Sequence, residues 1–479
     1  MKRDLGALTG REHDVLVIGG GIHGAFAAWD AAQRGLLTAL VEAEDFGAGT
    51  SWNSLKTIHG GLRYLQSIDL PRMRESIRER RTLLAIAPEL VRPLAFVVPT
   101  YGHGLKGREA LALALRVNDL VSADRNAGLP PAQRLAPGRS LSRDEFLRLV
   151  PGASAEGLTG GGVWMDAQVE SSERLLVGVL HAAAEQGTAL ANHARATGAL
   201  RRAGRIAGVS VLDALGGGVF EVRARQVLNA AGPGMDDVLA SVGVRRTPVP
   251  LLFALNLVLK RAVAKGHAIG ASSAGRYLFL VPWRDGAMIG TDYVPAGGAS
   301  DPFAARRFLE EASRAFPWAK LSADDVALVH RGRVPGLDAK RLAVRHLLLD
   351  HAAEGAPGLS SVQGVKYTTA RAVAEAAVDR LCHQLGHARS SRTAATRLLH
   401  ARALEGSLPE RALQAVREEM ALTLPDAVLR RLDLGTAGPA AAADVEIVAQ
   451  TLAAELGWDL ARLEAEKQAL ADAVARSVL

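Results

Sequence analysis

The feature that most constrains this chain is a strand, a glycine-rich turn and a helix that follow one another near its beginning. The apolar run 14–18 has the length of a buried parallel strand, and the turn 19–24 (GGGIHG) comes directly after it. In such a turn, the first glycine permits the bend, the second lets the backbone approach a pyrophosphate, and the third lets the helix pack on the strand. The positive end of the helix then faces the phosphates. We therefore expect dinucleotide contacts at Gly19, Gly21, Ile22, His23 and Gly24.

A second strand with an acidic end completes this unit. Residues 36–41 are apolar, and Glu42 follows them about 20 residues beyond the turn, where a carboxylate accepts hydrogen bonds from ribose hydroxyls. We expect Glu42 and Ala43 to lie beside the adenosine half of the cofactor. A glycine motif alone would be weak evidence, but here the strand, turn, helix, strand and acid are all present.

The composition is that of a large, apolar-rich globular protein. A chain of 479 residues with 48% hydrophobic content favours two or three domains. No apolar stretch approaches the ~20 residues that span a bilayer, and residues 1–13 are too charged for a secretory signal. The single Cys382 excludes an intrachain disulfide and a multi-cysteine metal site, so we expect a cytoplasmic protein and predict no metal.

The net charge of +7 points to an anionic partner. That partner could be a small anionic substrate, the inner face of a membrane or a nucleic acid. Aromatic residues make up only 4% of the chain and no RNA-binding motif occurs, so we expect no nucleic-acid binding. The oligomeric state stays open.

The order of helix and strand patterns predicts a discontinuous α/β protein with three parts. We expect a Rossmann-like domain at 1–90, 151–235 and 325–390, a substrate domain with an antiparallel sheet at 91–150 and 236–324, and a helical domain at 391–479. The last part is rich in alanine and leucine at helical spacing.

Two later turns also have small residues where a long cofactor would have to approach the backbone closely. The turn 230–232 (AAG) follows a strand, and the turn 364–369 (GVKYTT) precedes a helix pattern at 370–381. The N-terminus of such a helix can face the electron-rich edge of a flavin, and Lys366 could stabilise the reduced ring. On spacing alone, Lys366 could equally be an ordinary surface lysine.

The segment 50–65 (TSWNSLKTIHGGLRYL) resembles the signature of FAD-dependent glycerol-3-phosphate dehydrogenases, within the D-amino-acid-oxidase-like flavoproteins. The similarity continues at 164–167, 229–233, 281–283, 289–292, 364–369, 417–421 and 430–435, so it covers essentially the whole chain. It implies FAD as cofactor. The cofactor contacts it implies are Thr50, Ser51, Ser54, Lys56, His59, Gly60, Gly61, Leu62, Ala196, Ala231, Gly232, Gly364, Lys366 and Thr368.

Departures from the family pattern cluster on the substrate side. Where the family has a histidine facing the flavin, this chain has Asn256, which cannot take up a proton at neutral pH. The family's Gly-Val-Arg-Pro becomes Gly-Arg-Val-Pro, so Arg333 and Val334 exchange places and the arginine moves to the other face of a strand. Ala370 replaces a tyrosine. These changes leave FAD binding expected and the substrate open.

The chemistry of an alcohol or amine oxidation requires a hydride acceptor, removal of a proton and support for the reduced flavin. We expect Arg63, Arg333 and Lys366 to line an anionic substrate pocket, with Tyr64 beside them and Lys366, Arg333 and Asn256 near the reaction. His59 and His330 are the histidines nearest these motifs, and each could also be structural.

Three functions fit the sequence. The favoured one is oxidation of glycerol 3-phosphate or a related anionic alcohol, with electrons passed to a quinone or another acceptor. A peripheral position at the inner membrane face is compatible with this function. The second is an amine or amino-acid oxidoreductase of the same flavoprotein group. The third is a flavin-binding protein without catalysis. Substrate-dependent bleaching of the flavin separates the first two from the third.

Overall fold

The computed structural model describes residues 1–104, 107–296 and 303–479. Its strands are β1 (Glu12–Ile18), β2 (Thr38–Val41), β3 (Thr57–Ile58), β4 (Val91–Tyr101), β5 (Arg139–Leu141), β6 (Leu158–Val169), β7 (Ala189–Ala191), β8 (Ala194–Arg202), β9 (Arg205–Asp213), β10 (Val219–Asn229), β11 (Leu251–Leu259), β12 (His267–Ser273), β13 (Arg276–Trp283), β14 (Gly286–Pro295), β15 (Val326–Pro335), β16 (Leu347–Asp350) and β17 (Leu359–Gln363). Its α-helices are α1 (Leu5–Thr9), α2 (Ile22–Gln33), α3 (Leu70–Ile86), α4 (Arg108–Val121), α5 (Arg143–Leu149), α6 (Ser172–Glu185), α7 (Met235–Ser241), α8 (Ala304–Ala315), α9 (Ala370–Leu385), α10 (Leu408–Glu419), α11 (Ala442–Leu456) and α12 (Leu460–Ala475).

The first sheet carries the predicted Rossmann-like unit. Its order is β16-β17-β10-β1-β2-β7, and β7, β2, β1, β10 and β17 run parallel. Helices α2, α6 and α9 cover one face, whereas α1, α7 and the hairpin β8–β9 cover the other. Because both faces are buried, residues 15–18 of β1 and 39–41 of β2 are continuous apolar runs, as is typical of parallel strands. The predicted fold class is confirmed.

The second sheet has the order β15-β11-β14-β13-β12-β4-β6-β3, and β5 pairs with β6. All its pairs are antiparallel except β4 with β12, which run parallel. Helices α5 and α8 pack on one face of this sheet. The other face turns towards the segment that leads from Thr50 to Leu65, because Leu55 and Leu62 pack against it.

The strand pairing differs from the predicted domain boundaries at three segments. We assigned β3, β6 and β15 to the Rossmann-like part, but β3 and β4 pair with β6, and β15 pairs with β11. All three strands belong to the second sheet. Pairing between segments far apart in sequence leaves no local pattern, so the sequence could not place these three strands. The three-part division itself remains a prediction.

The C-terminal part is helical, as predicted. Helices α10, α11 and α12 share a core with a π-helical turn at Asp426–Arg431. Buried ion pairs join this part to the first sheet. Arg174 on α6 donates to Glu419 at 2.5 and 2.8 Å, and the pKa of Glu419, which burial alone would raise, is held at about 2 by His181 and Arg174. No helix in the described ranges is both long and apolar enough to cross a membrane.

Candidate active site

Three backbone turns meet where parallel strands of the first sheet end. They follow β1, β10 and β17, which are adjacent in the sheet. The Gln363 side chain donates to the Gly232 carbonyl at 3.0 Å and so joins the second turn to the third. Open α/β sheets bind ligands in the crevice at the carboxyl ends of their strands. This edge therefore brings together the turns that the sequence predicted separately.

The first turn has room for a ligand at only one of its three fingerprint glycines. Gly19 has a φ of 108°, and a Cβ there would lie 2.7 Å from the Ala230 carbonyl oxygen. A Cβ at Gly24 would overlap the carbonyl of Gly19. A Cβ at Gly21 would meet only Ser51 Oγ, at 3.3 Å. Gly19 and Gly24 thus serve the packing of the polypeptide, whereas Gly21 leaves the space at the N-terminus of α2 open.

Glu42 closes the far side of this turn. Its carboxylate accepts hydrogen bonds from the backbone N–H of Gly20 at 2.5 Å and of Glu44 at 2.9 Å. Burial raises the pKa of Glu42, and these two hydrogen bonds oppose the rise. Ala43 follows it, half-buried. Ser51 Oγ accepts from the Ile22 N–H at 2.9 Å, so the segment after β2 is tied to the start of α2.

The segment 50–56 lies between the two sheets. Thr50 Oγ1 donates to the Arg333 carbonyl at 2.6 Å, and Ser54 is half-buried nearby. Lys56 is 1% exposed, and its ammonium donates to oxygens of Trp52, Ser172 and Glu173 at 2.7 to 2.8 Å. All three donors of Lys56 are therefore used by the polypeptide. Lys56 would therefore affect a cofactor only indirectly, by fixing the position of residues 50–56.

His59 and Asp166 form a hydrogen-bonded pair. His59 Nδ1 lies 3.1 Å from Asp166 Oδ2, while Asp166 Oδ1 accepts from the Gly60 N–H at 2.6 Å and from Arg80. Burial alone would raise the pKa of Asp166, but Arg80 and His59 lower it to about 2. An ionised carboxylate at Nδ1 favours the tautomer with its proton there. The Nε2 lone pair of His59, whose side chain is 39% exposed, is then available as a base.

Three cations surround the ring of Tyr64, which is 4% exposed. Lys366 Nζ lies 4.1 Å from the ring centroid, and the guanidinium carbons of Arg72 and Arg63 lie at 4.5 and 5.5 Å. Gly61, with a φ of 85°, packs against the same ring, and Leu62 begins the short helix that carries Arg63. Burial and the charge of Arg63 lower the pKa of Lys366 to about 7. The predicted substrate residues Arg63, Tyr64 and Lys366 are thus brought together.

A cavity of about 300 Å³ continues from Lys366 and contains arginines that the sequence analysis missed. Arg72, Arg78 and Arg345 line it, and Glu75 is the carboxylate among them. Within the described ranges, neither Arg78 nor Arg345 has an ion-pair or hydrogen-bond partner. Arg345 lies outside the recognised motifs, so only the three-dimensional structure reveals it. This cavity can hold the anionic end of a ligand.

Asn256 and Arg333 lie on opposite faces of the second sheet. Asn256 is opposite His330 in the register of β11 and β15, and Arg333 is three residues further along, opposite Phe253. The face of Asn256 also presents Gly332, where a Cβ would lie 2.8 Å from the Asn53 carbonyl oxygen, so this face points towards the segment 50–56. Arg333 is exposed on the other face. The structure therefore does not bring Arg333 to the cation cluster, because a strand alternates its side chains.

The Asn256 side chain has a defined orientation. Its Oδ1 accepts from Thr291 Oγ1 at 2.8 Å, and its Nδ2 has no protein partner among the described residues. Asn256 can therefore donate a hydrogen bond but cannot accept a proton. His330 is fully buried on the same face and contacts Trp52 and Trp283. Burial and the charge of Lys56 lower its pKa to about 3, so it is a neutral structural residue.

The remaining predicted cofactor residues lie around the three turns. Ala231 and Gly232 follow β10, and a Cβ at Gly232 would meet no atom within 4 Å. Gly364 and buried Thr368 belong to the turn that leads into α9. Ala196 is half-buried on β8, which adjoins β2. Two helix N-termini, the acid Glu42 and the cation Lys366 thus share one crevice, which fits the phosphates, ribose and reducible ring of FAD.

Comparison with known proteins agrees with this fit. The model of the FAD dependent oxidoreductase family matches residues 14–380. A glycerol-3-phosphate dehydrogenase of Synechocystis sp. is 33% identical, with 80% of this chain and 72% of the relative aligned. An aerobic glycerol-3-phosphate dehydrogenase of Staphylococcus aureus is 30% identical, with 79% of this chain and 68% of the relative aligned.

Solved structures share the fold. The glycerol-3-phosphate dehydrogenase of Bacillus halodurans, complexed with FAD, superimposes with a TM-score of 0.75 at 21% identity and covers 99% of this chain and 97% of its own. The L-proline dehydrogenase of P. horikoshii gives a TM-score of 0.60 at 15% identity, over 79% of this chain and 95% of its own.

The different surroundings of Gly21 and Gly24 generate a prediction. We expect Gly21→Val to fold and to lose FAD, because its side chain would enter only the space for the pyrophosphate. We expect Gly24→Val to lose both FAD and stability, because its side chain would overlap the Gly19 carbonyl. The measurements are flavin content after purification and thermal unfolding. Gly218→Ala is the control, since a Cβ there meets no atom within 4 Å. Retention of FAD by Gly21→Val would contradict the assignment.

Proposed function

Because the chain belongs to the family of FAD-dependent oxidoreductases, we propose that it oxidises glycerol 3-phosphate or a closely related phosphorylated alcohol. The observation that carries this proposal is the convergence of Arg63, Arg345 and Lys366 beside the cofactor crevice. Guanidinium groups and an ammonium suit a phosphate dianion, since arginine can bind it through two parallel hydrogen bonds. The relatives named for glycerol 3-phosphate favour an alcohol over an amine substrate.

The proposed reaction separates a hydride from a proton. When bound, FAD would supply the acceptor for the hydride of the alcohol carbon. The hydroxyl proton passes to His59 Nε2, because Asp166 holds the opposite ring nitrogen and stabilises the imidazolium that forms. A ketone remains. Asn256 can donate its amide hydrogen to the substrate oxygen, and the Lys366 charge offsets the negative charge that reduction brings into the crevice.

We also propose that electrons leave to a quinone or another acceptor at the inner face of a membrane. Helix α4 exposes Leu113, Val117 and Leu120 in one stripe, with 64%, 36% and 78% of each side chain accessible. Arg108 and Arg116 are exposed on the same helix. Together with the net charge of +7, this stripe suits peripheral contact with an anionic lipid surface.

The pKa of Lys366 gives a prediction for anion binding. Sulfate, whose charge is constant above about pH 3, should bind about tenfold more weakly at pH 9 than at pH 6, because Lys366 loses its proton near pH 7. Lys366→Arg should remove this pH dependence, and Arg345→Gln should weaken binding at both pH values. Flavin absorbance changes report binding. Arg202→Gln, exposed on the hairpin β8–β9, is the charge-matched control. A flat pH profile in the unaltered protein would exclude this role of Lys366.

The proton acceptor is tested by two substitutions. His59→Gln should slow flavin reduction by glycerol 3-phosphate about 100-fold or more while FAD stays bound, because the hydroxyl proton has no acceptor. Asn256→His should supply a second acceptor and raise the rate, with a pH profile rising at about 6–7. Anaerobic stopped-flow absorbance measures both rates. If His59→Gln is as fast as the unaltered protein, His59 is not the base. Robust reduction by an amine but not by the phosphorylated alcohol would overturn the proposed function.

Membrane contact predicts a response to both salt and apolar surface. The protein should sediment with vesicles that contain phosphatidylglycerol at low ionic strength and be released at high ionic strength. The double variant Leu113→Ser, Leu120→Ser should bind about tenfold more weakly. The control variant Leu215→Ser changes an exposed leucine in the turn between β9 and β10 and should bind normally. Equal sedimentation of all three proteins would exclude the α4 stripe as the contact.

A further inference from the structure

His23 is the one side chain in the glycine-rich turn 19–24 that can form hydrogen bonds. It lies in the first turn of α2. Its Nε2 atom is buried and has no hydrogen-bond partner among the described residues. A buried ring nitrogen without a partner is uncommon in a folded protein and calls for a functional reason. The dinucleotide fingerprint needs only its glycines, so it does not account for an imidazole at this position.

The Nε2 edge of the ring packs on Gly364. A Cβ at Gly364 would overlap Nε2 of His23, and it would also come too close to both neighbouring ring carbons. Gly364 has no positive φ that would itself require glycine. The missing side chain at 364 therefore makes room for the imidazole. Through this contact, the N-terminus of α2 touches the turn that carries Lys366, two residues further on.

The protonation of His23 follows from these surroundings. Burial, with a smaller contribution from His346, lowers the pKa of His23 to about 4, so the ring is neutral at physiological pH. A neutral imidazole has one N–H. A proton on Nε2 would face Gly364 without an acceptor, at the cost of an unsatisfied buried donor. The proton consequently resides on Nδ1. Unlike Nε2, this atom is not fully buried by the described residues, so a ligand can reach it.

We propose that His23 is a positioning residue for the bound cofactor. Its Nδ1–H donates a hydrogen bond to an oxygen of the dinucleotide, while its Nε2 edge rests on Gly364 and fixes the turn that holds Lys366. This role depends on FAD binding and is independent of which alcohol or amine the protein oxidises.

The donor is tested by three variants of His23. In His23→Asn, the amide nitrogen can occupy the position of Nδ1, whereas His23→Gln places its amide near Nε2 and His23→Leu has no donor. We expect the dissociation constant of FAD, measured by fluorescence quenching on the cofactor-free protein, to change less than about threefold for asparagine and to rise about tenfold or more for glutamine and leucine. Circular dichroism checks that each variant is folded. If leucine or glutamine binds FAD as tightly as histidine, the donor role is wrong.

The contact with Gly364 is tested by a double-mutant cycle. Gly364→Ala should weaken FAD binding about tenfold and shift the flavin absorption maximum, because the methyl group displaces the imidazole or the turn. Adding His23→Asn should restore much of the affinity and the spectrum, since asparagine keeps a donor at the position of Nδ1 and lacks the Nε2 edge that the methyl group would meet. Gly218→Ala should change neither quantity. Additive losses in the double variant, or an unperturbed Gly364→Ala, would overturn the positioning role.

Discussion

Close backbone contact at the carboxyl ends of β1, β10 and β17 is the constraint on which the site depends. The turns pack closely at Gly19, Gly24 and Gly364, where an added side chain would overlap a neighbouring atom. Gly19 packs against the backbone of Ala230, and Gly24 packs against the carbonyl of Gly19. The imidazole of His23 occupies the space that a side chain at Gly364 would need. Because the turns fix one another, the N-termini of α2 and α9 are held towards the same crevice. Their amides and partial positive charges are therefore oriented before a cofactor binds.

The helical C-terminal part contributes to this arrangement through Asp45. This buried carboxylate lies three residues after Glu42 and accepts hydrogen bonds from Asn192, Arg430 and Arg431 at 2.5 to 2.9 Å. Burial alone would raise the pKa of Asp45, but the two guanidinium groups hold it well below its usual range. Charges buried in this way are stable only while all partners are present. The loop that carries Glu42 is thus anchored by residues almost 400 positions away in sequence.

The sequence could predict the cofactor side because that side is built from local backbone geometry. The requirement for glycine at 19, the length of the strand before it and the spacing to Glu42 all belong to one continuous segment. Each of these features can be recognised in the sequence without knowledge of contacts between distant segments. The helix after Thr369 and the helical C-terminal part were predictable for the same reason, since helical periodicity is also local.

The substrate side could be predicted only in part, because its side chains come from segments that are distant in sequence. Arg345 and Arg72 join Lys366 through tertiary packing, and the pair of His59 with Asp166 depends on the contact between β3 and β6. Strand alternation explains why the structure does not bring Arg333 to the cation cluster, since its side chain lies on the face of the sheet opposite to that of Asn256.

The same alternation explains how such a chain can keep its cofactor while its substrate contacts change. An exchange of two neighbours on β15 moves a charge from one face of the sheet to the other without altering the ladder to β11. The backbone hydrogen bonds between β11 and β15 do not depend on which of the two side chains stands at each position. By contrast, a side chain at Gly24 or Gly364 would disturb the contacts among the three turns. We therefore expect substitutions on this face of β15 to cost little stability, whereas a side chain at Gly19, Gly24 or Gly364 would disturb the packing of the turns.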